Sequence, residues 1–102
     1  DLMLERDGAL ETWALPVPPT LDSTQTGQRL VDHRIHYLDY EGPVSGNRGT
    51  VKRWDWGTYL LLDSSPGLRE IQLSGQQHTG HVRLRRKTAE SEFWSINCSA
   101  VD

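Results

Sequence analysis

The sequence predicts an all-β domain of about seven short antiparallel strands, either a barrel or a sandwich. Three observations predict it. Asp-Gly, Pro-Gly and other Gly-containing turn signals punctuate the chain. The segments between them alternate with a period of two, and no segment holds a 3.6-residue apolar period over about 11 residues. Residues 1–5 and 9–15 read as a hairpin around Arg6-Asp7-Gly8, because an Asp-Gly pair accepts the positive φ angles of a tight turn. In the second of these strands Leu10, Thr12 and Ala14 face one way and Ala9, Glu11, Trp13 and Leu15 the other. Residues 16–28 hold three prolines, polar clusters and Gly27, and read as a long loop. A short strand over 29–33 follows, then an irregular segment through Gly49. Residues 50–55 and 58–63 read as strands joined by Trp56-Gly57. Ser64-Ser65-Pro66-Gly67 turns the chain into 68–74, where Leu68, Glu70 and Gln72 alternate with Arg69, Ile71 and Leu73. A turn over 75–80 leads to the last two strands, 81–87 and 92–97.

A chain of 102 residues allows one domain. It is long enough to bury somewhat more than about 60% of its unfolded surface. With 35% apolar and 25% charged residues, the composition excludes a disordered chain. No apolar run approaches the roughly 20 residues that span a bilayer, and no signal-peptide h-region is present. Cys98 is the one cysteine, so no intramolecular disulfide forms and a soluble, intracellular setting is expected. The net charge of −3 means that a nucleic-acid partner has to be met by a local basic patch. The chain opens at Asp1, directly into a strand-like run, which predicts a longer natural chain with a segment upstream.

Residues 31–42, Val-Asp-His-Arg-Ile-His-Tyr-Leu-Asp-Tyr-Glu-Gly, are dense in His, Tyr and carboxylates. On an extended strand His33 and His36 point to opposite faces, so they form no bidentate metal site unless the segment turns. His78 and His81 share that spacing across Gly80. Spacing therefore favours exposed or hydrogen-bonded histidines over a zinc site built from the four His and Cys98. Strand alternation over His81-Val82-Arg83-Leu84-Arg85-Arg86-Lys87 puts His81, Arg83, Arg85 and Lys87 on one face, with Val82 and Leu84 on the other. Lys52-Arg53 adds basic content nearby. The face reads either as a solvated sheet surface or as a phosphate-tracking surface. Trp13 and Trp94 read as core, while Trp54 or Trp56 is expected to be partly exposed. Cys98 has no His neighbour in sequence and reads as an incidental thiol. No Gly-rich phosphate loop, nucleophile elbow or His-Glu-x-x-His helix is present.

Four ordered blocks are similar to a known family. Asp-Leu-Met-Leu-Glu-Arg-Asp-Gly-Ala-Leu-Glu-Thr-Trp-Ala-Leu-Pro (residues 1–16), Asp32-His33 with Tyr37, Asp39 and Glu41-Gly42, the set Gly49-Thr50-Val51, Trp54-Asp55 and Gly57-Thr58-Tyr59, and the closing Leu73, Gly75, Gly80, Leu84, Arg86 and Trp94 carry the likeness. The chain resembles the 3′-phosphoesterase domain associated with bacterial DNA ligase D and its stand-alone relatives, and the resemblance covers nearly its whole length. It implies a small antiparallel β-barrel with a groove on one side and long irregular loops. It also implies a divalent metal, typically Mn2+, and removal of 3′-terminal ribonucleosides and 3′-phosphates from DNA ends to leave a 3′-hydroxyl in end-joining repair. The implied partners are DNA 3′ ends and a DNA ligase or polymerase domain, with no membrane, in a bacterial or archaeal cytoplasm at the nucleoid.

Residue by residue, the resemblance makes Asp1 a metal ligand, with two histidines of the family motif falling before it, and makes His33 and Tyr37 the groups that contact the reacting phosphate. A phosphoester transition state spreads charge over the phosphoryl oxygens, so positioned donors and cations of these types suit it. A duplex-holding role for Arg83, Arg85 and Lys87 comes from periodicity, not from the family. Met3 stands where many members carry an Arg that meets the phosphate, and a metal held by Asp1 alone binds weakly. Two further readings stand beside this one: a non-catalytic barrel that binds nucleic-acid ends or a repair partner, and a purely structural or protein-interaction domain.

Overall fold

The computed structural model describes residues 1–38, 41–43, 50–51 and 54–100. Strands β1 (Leu2–Arg6) and β2 (Ala9–Ala14) form the expected hairpin. Asp7 (φ 51°) and Gly8 (φ 82°) are both left-handed, the geometry that a two-residue hairpin loop requires and that Asp-Gly supplies at little strain. Strand β3 (Ser23–His33) is longer than its apolar pattern indicated. Residues 23–28, expected as loop, pair along the C-terminal strand from Ser23 opposite Cys98 to Gln28 opposite Phe93. Ser, Thr and Gln show no apolar alternation, yet a ladder needs only backbone donors and acceptors. Gly27, read as loop punctuation, is a packing residue: a Cβ there would meet Ile96 Cδ1 at 2.7 Å and Leu15 Cδ2 at 2.8 Å.

After β3 comes a 3-10 turn (Ile35–Leu38), then β4 (Gly42–Pro43) paired with β5 (Thr50–Val51). The strand expected over 50–55 is thus described only at Thr50–Val51, and Trp54 to Trp56 lie outside any strand. Asp39 and the Lys52-Arg53 pair lie outside the described residues. Strands β6 (Gly57–Ser65), β7 (Leu68–Gly75), β8 (Thr79–Arg86) and β9 (Phe93–Ser99) follow. The large sheet runs β1-β2-β3-β9-β8-β7-β6, antiparallel throughout. It curls into a nearly closed barrel. Across the seam between the two edge strands, Arg6 Nη1 donates to Ser64 Oγ (3.0 Å) and Tyr59 Oη donates to the Glu5 carbonyl (2.6 Å). Among the described residues no helix is long and apolar enough to cross a membrane.

The barrel interior holds Leu4, Trp13, Ile71, Val82, Leu84, Trp94, Ile96 and Cys98. Trp13 and Trp94 meet edge to face at 5.4 Å, as core aromatics prefer. Burial pushes the Cys98 thiol up, against a lowering contact with Ser23, consistent with an unreactive thiol. Both Trp54 and Trp56 are exposed. On the outer face of β2, Leu10 and Thr12 are buried as well, because the 3-10 turn lies against that strand. Covering both faces of β2 is what sets the turn, and the site residues on it, beside the sheet.

Candidate active site

Near the end of β3, Leu10 pairs with His33 while Thr12 pairs with Leu30, so β3 carries one extra residue between them. Such a bulge bends a strand and re-aims the side chains beyond it. The chain then turns, with the Tyr37 N–H donating to the Arg34 carbonyl (3.0 Å). His33 thus ends the strand, while His36 lies in the turn that follows. Both imidazoles pack against the ring of Tyr37. The Tyr37 ring lies 6.1 Å from the His33 ring, edge to face, and 4.1 Å from the His36 ring. His33 Nδ1–H donates to the Val31 carbonyl (3.0 Å). A carbonyl only accepts, so the proton is fixed on Nδ1 and Nε2 is left for a ligand.

The register places Asp1 relative to that pair. Leu2 faces Trp13 and Glu5 faces Leu10, whose other partner is His33. Asp1, Met3 and Glu5 thus share the outer sheet face with Leu10 and His33. Asp1 and His33 are separated by about 14 Å along the strands and about 10 Å across them, at roughly 3.4 Å per residue and 4.8 Å per strand. The fold brings His33 and Tyr37 together and leaves Asp1 on the same face without contact to them.

The expected alternation on β8 holds, with Val82 and Leu84 buried and Arg83, Arg85 and Lys87 exposed. His81 and Arg83 both reach Glu70 on β7, at 2.8 and 3.4 Å. The His81 hydrogen bond is the main cause that lowers the Glu70 carboxyl, and Arg83 adds to it. Arg85 and Lys87 make no ion pair among the described residues. One strand, β9, lies between β8 and the β3 strand that ends at His33. The basic face meets the Asp1 end instead. Ala14 pairs with Gln28, Gln28 with Phe93, and the Lys87 N–H donates to the Phe93 carbonyl (3.0 Å), so Asp1, Ala14, Gln28, Phe93 and Lys87 form one row across the outer surface.

Two carboxylates that sequence reasoning left without a role hold the scaffold. Asp55 Oδ1 accepts from the backbone N–H groups of Trp56 (2.8 Å), Gln76 (2.8 Å) and Gln77 (3.1 Å), and Oδ2 from that of His78 (2.9 Å). Desolvation raises its pKa, but the four donors outweigh it and the net direction is down. It closes the turn between β7 and β8 from a residue 21 positions away, beyond the reach of any local pattern. Glu11 lies inside the His33 end of the barrel and takes both Arg69 Nε (2.9 Å) and Nη2 (2.8 Å). Arg29 at 3.6 Å and Arg6 at 3.7 Å complete its surroundings. The Arg69 hydrogen bond is the largest influence on Glu11, and it holds the carboxyl below its usual range against desolvation.

Among the described residues no three His, Cys, Asp or Glu side chains converge as a metal-ligand set. His33 and His36 sit at one end of β3, His81 on the outer face with Glu70, His78 beside the Trp54 ring at 4.3 Å, and Cys98 in the core. Asp1 is a single carboxylate beside Met3 and Ala14. One carboxylate does not fix a coordination geometry, so these residues do not by themselves fit a resident divalent ion.

The model of the DNA ligase D 3′-phosphoesterase domain matches residues 1–95. The chain is 32% identical over 105 residues to a multifunctional non-homologous end joining protein LigD from Pseudomonas aeruginosa, covering 88% of this chain and 12% of that protein. It is 39% identical over 99 residues to the protein of the same description from Mycobacterium bovis, covering 88% of this chain and 13% of that one. A third relative, from Mycolicibacterium smegmatis, is 36% identical over 64 residues, or 58% of this chain and 8% of its own length. The chain thus spans about an eighth of the length of the first two relatives.

Proposed function

The chain belongs to the DNA ligase D 3′-phosphoesterase domain family, and from that premise we propose that it removes 3′-terminal ribonucleosides and 3′-phosphates from DNA ends, leaving a 3′-hydroxyl for end joining. The observation that supports this reading most directly is the pairing of His33 with Tyr37, one imidazole nitrogen anchored and the other presented at the surface. Charge builds on the phosphoryl oxygens as a phosphoester bond breaks, and donors already in place stabilise it without reorganisation. His33 has its Nδ1 proton committed to Val31, so Nε2 donates to a phosphate oxygen only when the ring is an imidazolium. Neutral, the same nitrogen accepts a proton. The Tyr37 hydroxyl supplies a second hydrogen bond. Arg85 and Lys87, with Arg83 beside them, hold the duplex behind the end, reached along the transverse row from Asp1.

A divalent ion, Mn2+, belongs to the proposal as cofactor, with Asp1 as its assigned ligand, although one carboxylate does not by itself fix a coordination geometry. The partners proposed are DNA 3′ ends and the ligase or polymerase domains of an end-joining protein. The deciding experiment is Mn2+-dependent processing of a primer-template ending in a 3′-ribonucleotide or a 3′-phosphate. Conversion to a 3′-hydroxyl that disappears in His33→Ala supports the reading. Binding of the end without turnover, with or without Mn2+, favours a barrel that binds ends without cleaving them, the alternative to which Met3 and the solitary Asp1 point.

A further inference from the structure

The 3-10 turn carries two polar side chains that the proposed reaction does not use. Arg34 heads the turn, its carbonyl accepting from the Tyr37 N–H at 3.0 Å. The rings run in series, His33 to Tyr37 at 6.1 Å and Tyr37 to His36 at 4.1 Å with only 34° between their planes. The near-parallel contact orients the His36 imidazole beside the ring that meets the substrate. Arg34 and His36 are both exposed, and among the described residues neither side chain makes a hydrogen bond or an ion pair.

Their neighbours are differently placed. Arg29 is taken up by Asp32 at 2.8 Å, and Arg6 by Ser64. Asp32, the carboxylate next in sequence to His33, is thereby neutralised. The lip around His33 and Tyr37 therefore carries an uncommitted guanidinium and a second imidazole, both solvated and neither needed for the fold. A guanidinium with its fork unspent is suited to the planar oxygens of a phosphodiester.

We propose that Arg34 and His36 bind the internucleotide phosphate one linkage 5′ of the reacting phosphate, so that the strand is gripped one step back from the bond held by His33 and Tyr37. This rests on the reading of His33 and Tyr37 as the groups at the reacting phosphate. It makes the site selective for the end of a DNA strand over a nucleoside 3′-monophosphate, which has no such linkage. Arg34 and His36 then govern substrate binding rather than the bond-breaking step.

The test uses a 5′-fluorescein single-stranded oligonucleotide with a 3′-phosphate, its binding followed by anisotropy in EDTA between 50 and 200 mM salt, a window of about the usual working range. A second oligonucleotide carries a neutral methylphosphonate at the last internucleotide linkage. In the unaltered chain the methylphosphonate weakens binding about tenfold and lowers the salt slope by about 0.7, the value for one phosphate on a single strand. In Arg34→Ala/His36→Ala, binding of the ordinary oligonucleotide falls by a similar factor and the methylphosphonate costs nothing further. That non-additivity is a readout that a merely structural role does not produce. If the unaltered chain binds the end and the double variant keeps both the slope and the methylphosphonate penalty, this inference is overturned while the reading of His33 and Tyr37 stands. If the unaltered chain binds no DNA end, both are overturned.

Discussion

At the residue scale, the proposed reaction turns on which nitrogen of His33 faces outward. The Val31 carbonyl fixes the Nδ1 proton, so His33→Ala removes the presented Nε2 without disturbing the core. We expect a fall in 3′-end processing of at least about 100-fold, the scale of a lost acid-base group, with the circular dichroism and melting temperature unchanged. Asp55 is the opposite kind of residue. Asp55→Ala leaves four backbone donors without their acceptor and is expected to destabilise the barrel by more than about 2 kcal/mol. Asp55→Asn keeps an oxygen for the three donors on Oδ1 and loses only the His78 contact, so denaturant melts should rank it between the two. Of these residues, the resemblance named His33 and matched Asp55 as part of Trp54-Asp55, but gave Asp55 no role. Its four partners lie in a turn 21 or more positions away or next to it along a non-strand segment, and no pattern in the sequence marks an acceptor for a distant turn.

At the scale of elements, period two was legible wherever one side of a strand meets the core. In β8 it separates buried Val82 and Leu84 from exposed Arg83 and Arg85, with Lys87 just past its end. Arg83 spends part of its charge on Glu70, whereas Arg85 and Lys87 are unpaired among the described residues. Arg85→Ala/Lys87→Ala should therefore lower duplex affinity and reduce the salt slope by up to about 1.8, roughly 0.9 for each lost phosphate contact, while Arg83→Ala alone changes it less. Titrating a fluorescent duplex against salt ranks the variants, and equal slopes in all of them would remove β8 from the DNA surface. The first half of β3 was not legible, since its Ser, Thr and Gln side chains resemble a loop and only the ladder to β9 makes it a strand. Nor was the 3-10 turn, which takes His36 off the strand that ends at His33 and sets it against Tyr37. Its place is set by its contact with the far face of β2, where it covers Leu10 and Thr12.

For the whole molecule, the barrel is held together at the His33 end by charge as well as by apolar packing. Glu11 on β2 gathers Arg6 from β1, Arg29 from β3 and Arg69 from β7. Its pKa in the fold lies below the ordinary 4.5, so its contribution to stability is complete above that value and is lost as pH falls through the folded pKa. Glu11→Gln should cost about 2 kcal/mol near neutrality, because it leaves Arg69 without its bidentate partner. Melting curves of the two proteins should converge on acidification below about 4.5, and a constant gap there would contradict the assignment. By itself the sequence determined the all-β class, the Asp7-Gly8 hairpin, Trp13 and Trp94 as core, and the outward basic face of β8. All of these follow from turn chemistry or from alternation, which each strand carries within a few residues. The tertiary structure alone decided that 23–28 is a strand, that His33, Tyr37 and His36 form one row of rings, and that Glu11 and Asp55 bind partners 58 and 21 positions away. Those outcomes depend on which distant segments meet, and the free energy that selects them belongs to the contact between segments rather than to either one.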